Sequence, residues 1–374
     1  METDDLIIVG AGPAGSTLAK ALEGSGKRAL LIDKQDFPRD KTCAGWVTPT
    51  VMETLGIDLA EYGVGRTLQP IRRFRIGMMG QPAVENDHGS VVSYGIRRCE
   101  FDDYLLERTD TPRQLATPVK NITRKDGNWL INDTWSAPLL IGAGGHFCPV
   151  AKLIGDGPGS HETVVAAKEV EFEMTQEQAR TCEARGDTPE LWFCRDLKGY
   201  AWVFRKGNYL NVGLGREDNH KLTTHLQDFV ETMKSTGRLP ADLPSRFKGH
   251  AYLLYGHAER PLVDDGLLLI GDAAGLAYTQ SGEGIRPAIE SALLAADVIR
   301  QAPDFSAVSL QAYGDAIAER FGHRRAEAEE GFQVPDWIRM PLASTLMRSH
   351  WFTRKVVTEK WFLHQEVTPL AANS

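Results

Sequence analysis

The chain has few cysteines for its length, and no two of them are spaced as C-x-x-C. The five, Cys43, Cys99, Cys148, Cys182 and Cys194, are scattered and odd in number. That pattern excludes a sequence-evident zinc or iron–sulfur site and favours a reducing compartment. The ten histidines are equally scattered, and H-E-x-x-H is absent, so no metal ligand set is expected. No stretch approaches the ~18 uninterrupted apolar residues of a membrane span. The chain enters an apolar, strand-like run by Leu6, so no cleaved secretory signal is expected. Basic residues number 42 against 50 acidic ones, for a net charge of -8. A negative chain is a poor non-specific partner for nucleic acid. Internal repeats and low-complexity tracts are also missing. The absences together predict a cytoplasmic protein.

What is present is ordinary in bulk and specific in pattern. Hydrophobic residues make up 42% and charged residues 25% of 374 positions, enough for two joined domains around large cores. Leu6-Ile7-Ile8-Val9 reads as a buried parallel strand. It runs into Gly10, Gly12 and Gly15, which open a helix carrying Leu18, Ala19, Ala21 and Leu22. Ala29-Leu30-Leu31-Ile32 reads as a second strand and ends in Asp33. Strand, glycine turn, helix and terminal acid form the dinucleotide fingerprint. Gly10 permits the tight turn, Gly12 lets the backbone approach a pyrophosphate, and Gly15 allows close helix–strand contact. The helix N-terminus offers N–H groups and a positive dipole end to the phosphates. Asp33 suits vicinal ribose hydroxyls and would repel a 2′-phosphate.

A second site lies far along the chain. Leu267-Leu268-Leu269-Ile270 reads as another buried strand, with Gly271-Asp272 at its C-terminal end, where open α/β sheets place ligands. Gly282-Glu283-Gly284 then leads into a helix with Ile285, Ala288, Ile289, Ala292, Leu293 and Ala296 on its buried side. This region resembles the flavin motif of the p-hydroxybenzoate-hydroxylase superfamily. Arg98-Cys99-Glu100-Phe101-Asp102 is similar to its R-x-x-F-D segment. Leu139-Leu140-Ile141-Gly142-Ala143-Gly144-Gly145 resembles the strand before its "GADG" turn. The resemblance implies FAD. It implies that Asp272 contacts the ribityl–pyrophosphate region, that Arg98 lies near the FAD, and that the helix after the GEG turn points its N-terminus at the pyrimidine end of the flavin. The cofactor residues so implied are Gly10, Gly12, Ala14, Gly15, Asp33, Lys34, Arg98, Gly271, Asp272, Gly282, Gly284 and Ile285.

The fold expected is α/β. A Rossmann-like FAD-binding domain, with a three-layer parallel sheet, is assembled from 1–70, 95–160 and 263–310. An antiparallel-sheet substrate domain takes 71–94 and 161–262, and a helical C-terminal tail takes 311–374. Lys168 to Met174 and Tyr209 to Leu214 alternate strictly, which predicts half-buried antiparallel strands. Leu191–Cys194 and Tyr200–Phe204 join them. Residues 175–186 and 221–236 read as short helices, and Pro335 and Pro341 should break the tail. Between Trp337 and Gln365 the tail carries five Trp and Phe residues and five Arg and Lys residues against one acid, Glu359. It reads either as a helix packed on the protein or as an interfacial helix making peripheral contact with anionic lipid.

The chemistry has its own motifs. Pro38-Arg39-Asp40-Lys41-Thr42-Cys43-Ala44-Gly45-Trp46 resembles the P-R-x-K-x-C-x-G-G stretch of the geranylgeranyl reductase family. Gly199 to Phe204 resembles its P-x-x-Y-x-W-x-F-P motif, and Asn211 to Gly215 its N-V-G-x-G continuation. Period-two spacing puts Tyr200, Trp202 and Phe204 on one strand face. The resemblance implies that this face receives substrate, so Trp46, Tyr200 and Trp202 are the expected substrate residues. On the residues alone, the aromatics also read as a covered sheet face and Cys43 as a small buried hydrophobe. As catalytic candidates, Cys43 or a water held by Tyr200 would supply a proton. Trp46, Leu197, Arg205 and Gly144 depart from the family patterns; Trp46 should shorten or redirect the pocket.

Three functions remain open. The first is FAD-dependent reduction of a carbon–carbon double bond in an apolar or isoprenoid-like substrate, with NAD(P)H, ferredoxin or a quinol as donor. The second is a flavin monooxygenase or halogenase on the same fold, against which the lack of GDAAH and of W-x-W-x-I-P counts. The third is a non-catalytic FAD protein that relays electrons.

Overall fold

The computed structural model of the protein describes residues 2–154, 164–218, 220–258, 260–324 and 336–370. The chain forms two compact units. One comprises Met1–Asp40, Cys99–Thr163 and Tyr252–Glu327; the other comprises Lys41–Arg98, Val164–Ala251 and Ala328–Ser374.

The first unit is built on a six-stranded sheet. Its order is Val263–Asp264, Leu267–Leu269, Leu139–Gly142, Leu6–Val9, Ala29–Ile32 and Arg113–Gln114. Only the pairing of Val263–Asp264 is antiparallel. The central strands are continuous Leu, Ile and Val because both faces are covered, which is why they read as unbroken apolar runs. Helices Pro13–Ala21 and Ile285–Gln301 contribute Leu18, Ala292 and Ala296 to the core. Trp129 and Ile131 of a separate four-stranded sheet join the same core. Helix, parallel sheet and second sheet make the three-layer α/β arrangement. Register aligns Val9 with Ile32 and Gly142, and Gly142 with Leu269. Gly10, Asp33, Ala143 and Ile270 therefore leave the sheet along one edge.

The second unit contains a seven-stranded sheet. Its order is Lys248–Leu253, Val164–Glu173, Tyr209–Arg216, Gly199–Lys206, Glu190–Phe193, Arg73–Met78 and Val84–Asp87. Trp46–Val47, Ser93–Ile96 and Leu68–Ile71 form a small antiparallel sheet. Ala201, Val203, Leu210, Val212 and Leu214 meet the helix Leu222–Ser235 in an apolar core through Leu226, Phe229 and Val230.

Several sequence expectations need correction here. Strand Tyr209–Arg216 is buried on both faces, not half-buried, because Asn211 and Gly213 on its second face are covered by side chains of neighbouring strands. The helix expected over 175–186 stops at Thr181. Leu293 is only half-buried, and Ala295 takes the inward place. Pro341 does not break the tail: helix Asp336–Leu346 runs through it. Its ring forfeits only the bond to the carbonyl four residues back, in the second turn of the helix. Pro335 lies outside the described residues. A π-helical stretch, Thr353–Phe362, follows. The tail packs in its own unit: Asn86 Nδ2 donates to Thr353 Oγ1 at 2.8 Å, and Phe362 is fully buried. Trp337 and Trp351 are exposed. Among the described residues no helix is long and apolar enough to cross a membrane.

Candidate functional site

In the first unit the two distant glycine motifs meet. Gly10 adopts φ +115°, and a Cβ there would sit 2.5 Å from the Ala143 carbonyl. Only glycine tolerates both that conformation and that approach. At Gly15 a Cβ would fall 1.8 Å from the Gly10 carbonyl oxygen, so the helix can lie against the turn. A Cβ at Gly271 would lie 3.1 Å from that of Ala14 and 3.2 Å from that of Ala288. The GD segment thus seats on the helix of the N-terminal turn. Gly12 caps that helix with no side-chain hydrogen bond, and no acid occupies the first turn. Its orphan N–H groups and dipole are left for an anion.

Asp33 is buried and already organised. Its Oδ2 accepts from Ala11 N and its Oδ1 from Gln35 N, both at 2.8 Å. Each carboxylate oxygen has a further lone pair for a ribose hydroxyl. Lys34, next in the chain, is exposed. Asp272 sits on the short turn Gly271–Ala274, and a Cβ on Gly284 would come within 2.8 Å of its Oδ1. Glycine at 284 therefore makes room for that carboxylate at the N-terminus of Ile285–Gln301. Ile285 is buried, and Gly282 adopts φ +68°. Arg98 is buried as the first residue of helix Arg98–Glu107.

Arg39 is a cofactor candidate that the sequence motifs do not mark. A Cβ on Gly12 would meet its Nη2 at 3.1 Å, and the same nitrogen lies 3.1 Å from the buried Asp102 Oδ2. The Asp of the R-x-x-F-D segment thus holds a guanidinium over the glycine turn. Uncapped N–H groups beside a fixed cation suit the pyrophosphate of FAD, and the buried acid suits its ribose. The residues present fit the cofactor.

The second unit gathers the reductase-like motifs. Trp202 Nε1 donates to Asn211 Oδ1 at 2.7 Å. Asn211 Nδ2 lies 3.0 Å from the Cys43 carbonyl, 3.2 Å from Glu169 Oε2 and 3.3 Å from Glu171 Oε2. Cys43 N donates to Glu169 Oε1 at 2.6 Å. Lys206, 1% exposed, donates to Glu171 Oε2 at 2.5 Å and to the Ala44 and Ile96 carbonyls at 2.9 Å each. All three ammonium donors are used, which is what a buried lysine requires. Two glycines make the packing work. Gly45 has φ +68°, with Lys206 Nζ 2.4 Å and the Ile96 carbonyl oxygen 2.2 Å from where a Cβ would stand. At Gly213 a Cβ would strike the Trp202 ring at 2.2 Å, so the indole lies across the bare backbone.

Burial pushes the Glu169 carboxyl up to about 7; the Cys43 N–H, Lys206 and Asn211 pull it back only partly, and Glu171 adds to the rise. Burial also opposes ionisation of Glu171, but the charge and hydrogen bond of Lys206 outweigh it, and that carboxyl is held below its usual range.

The aromatic candidates meet through the tail. Trp46, 8% exposed, stacks on Phe362 at 5.6 Å between ring centroids, and lies 5.5 Å from Phe74 and 6.2 Å from Phe204. Tyr200 is 5.4 Å from Phe362 and 6.0 Å from Trp202. Trp46, Tyr200 and Trp202 belong to one cluster, with Cys43 joined to it through Asn211. Phe362, Glu169, Glu171 and Lys206 join the cluster although no sequence motif marks them. Lys168 to Glu173 reads as a strand with a solvent face, but the Cys43 segment, Asn211 and Lys206 cover that face. The motif position of Asn211 was the one available signal.

The folds and sites together define an FAD-binding protein. Residues 2–71 match the family described as FAD binding domain. A digeranylgeranylglycerophospholipid reductase of Methanococcus vannielii is 27% identical over 354 residues, covering 90% of this chain and 85% of its own. A menaquinone reductase of Mycobacterium tuberculosis is 28% identical over 348 residues, covering 80% and 77%. Among solved structures, a geranylgeranyl bacteriochlorophyll reductase-like protein of Thermoplasma acidophilum superposes with TM-score 0.73 at 22% identity, covering 93% of this chain and 88% of that one. A flavin-dependent brominase superposes with TM-score 0.69 at 16% identity, covering 96% and 92%. The structural likenesses establish the p-hydroxybenzoate-hydroxylase type of fold. FAD is the cofactor, and the chain is similar in sequence to proteins named as reductases of digeranylgeranylglycerophospholipid and menaquinone.

Proposed function

We propose that the protein reduces a carbon–carbon double bond in an apolar, isoprenoid-like substrate. The observation that carries this reading is the single network joining Cys43, Trp202, Asn211 and Gly213. These are the residues at which the chain resembles the reductase motifs, and two relatives bear reductase names. Bound FAD, once reduced, supplies a hydride to one alkene carbon.

The chain's own residues do the rest. The helix N-terminus at Gly12 and the Arg39 guanidinium would hold the pyrophosphate, Asp33 the ribose, and Asp272 the ribityl end. Gly10, Ala14, Gly15, Gly271, Gly282 and Gly284 would let the backbone come close, and Ile285 opens the helix whose dipole would favour charge on the reduced ring. Arg98 adds a cation. Trp46, Tyr200 and Trp202 offer the apolar surface that excludes water. The Cys43 thiol, or a water held by the Tyr200 hydroxyl, gives the other alkene carbon its proton.

Anaerobic reduction of the holoprotein with NAD(P)H, ferredoxin or quinol donors, followed by mixing with polyprenyl alkenes, tests this. The expected outcome is flavin reoxidation with a gain of two hydrogens in the lipid. A protein reoxidised rapidly by air, with a transient peroxyflavin, and not by alkenes is an oxygenase or halogenase. No reduction by any donor points to an electron-relay protein.

A further inference from the structure

Glu169 is a buried acid for which the reduction chemistry has no use. It is 5% exposed, on strand Val164–Glu173, and its two oxygens take different partners. Oε1 accepts the Cys43 N–H at 2.6 Å, and Oε2 accepts the Asn211 amide at 3.2 Å. The same Asn211 amide donates to the Cys43 carbonyl at 3.0 Å. Both backbone polar groups of one residue are therefore held by two side chains from adjacent strands. A backbone amide can be satisfied by a neutral acceptor at far smaller desolvation cost than by a buried carboxylate.

We propose that Glu169 and Asn211 are positioning residues that clamp the backbone of Cys43, and that the gain or loss of a proton on Glu169 slackens or tightens the thiol-bearing segment. The groups around Glu169 are known. Glu171 lies on its own strand, Lys206 and the uncharged Trp202 come from strand Gly199–Lys206, and Asn211 from strand Tyr209–Arg216. In the Cys43 segment Lys41 Nζ lies 3.0 Å from His250 Nε2 of strand Lys248–Leu253. With burial raising its carboxyl to about 7, Glu169 changes charge near neutrality. The ionised form makes the stronger, charge-assisted bond to the N–H. The clamp is firm above that pH and slack below it. Its consequence for turnover rests on the reading that Cys43 serves the reduction; the clamp itself does not.

The test is site-resolved alkylation of the holoprotein with iodoacetamide, read by mass spectrometry across pH 7. Cys99, also half-buried, is the reference within the same molecule. In the unmodified protein the Cys43-to-Cys99 labelling ratio should fall about fivefold as pH rises through 7, the factor that one ordinary hydrogen bond gives. Glu169→Gln keeps the shape and an acceptor but cannot ionise, so the step should vanish. Asn211→Ala should raise Cys43 labelling at every pH and keep the step. An unmodified protein without the step, or Glu169→Gln with the step intact, overturns the proposal. If Asn211→Ala does not fold, the isosteric Glu169→Gln decides alone. Turnover of Cys43→Ser separates the two readings. Full activity removes Cys43 from the reaction and leaves the clamp standing. Lost activity without a labelling step removes the clamp and leaves the reaction.

Discussion

Arg39 and Lys34 follow Asp33 within six positions, yet the fold treats them differently. Lys34 is exposed, whereas Arg39 is pinned by the buried Asp102 above Gly12. A fixed guanidinium loses little entropy on binding an anion, and a solvated ammonium gains little by it. Arg39→Ala should weaken FAD binding by about 10- to 100-fold, the size of about 1.5–3 kcal/mol for a hydrogen bond to charge. Lys34→Ala should change it by less than about threefold. Titration of the apoprotein with FAD, followed by flavin fluorescence quenching, compares them; equal losses would refute the assignment of Arg39. Residues whose chemistry is local were legible. Gly10, Gly12, Gly15 and Asp33 announce themselves because turn, cap and acid are neighbours in the chain. Arg39 is not, because its meaning comes from Asp102, 63 positions away.

At the level of elements, period and sequence spacing found the strands but not what covers them. Lys168 to Met174 alternates, and alternation predicts one dry face and one wet face. The wet face carries Glu169 and Glu171, and the Cys43 segment is tied to it by hydrogen bonds to Glu169 and Asn211 that no window of local sequence contains. The tail shows the same limit. Its composition allowed a packed or a lipid-facing helix, and the structure divides it. Trp337 and Trp351 are exposed, while Phe362 is 1% exposed between Trp46 and Tyr200. Phe362→Ala should remove about 3–5 kcal/mol of stability, as buried aromatic truncations do. Small apolar ligands should recover part of that loss by filling the space. Denaturant melts with and without a cyclic hydrocarbon check this. A variant as stable as its parent would mean the tail does not contribute to the aromatic cluster in solution.

The whole molecule carries opposing acids, and their sum sets how stability follows pH. Glu171, Asp196, Glu359 and Glu23 are held below their usual range, burial working against cationic and hydrogen-bonded partners that win. Such groups stabilise the fold above their unfolded values and lose that contribution as pH falls. Glu169 has the opposite sign. Its folded value of about 7 lies above the ordinary carboxylate value of 4.5. Its contribution is complete below 4.5 and is lost as pH rises through 7. At 1.36 kcal/mol per unit the ceiling of that loss is about 3 kcal/mol, worth about 4 °C in melting temperature for a chain of this size. With FAD held saturating, so that cofactor linkage is constant, the melting temperature should peak between pH 4.5 and 7 and decline on the alkaline side. Glu169→Gln should melt a few degrees above its parent at pH 8 and alike at pH 5. Curves that stay parallel across that range would show that Glu169 keeps one charge state throughout. The fold would then owe its alkaline limit to other groups.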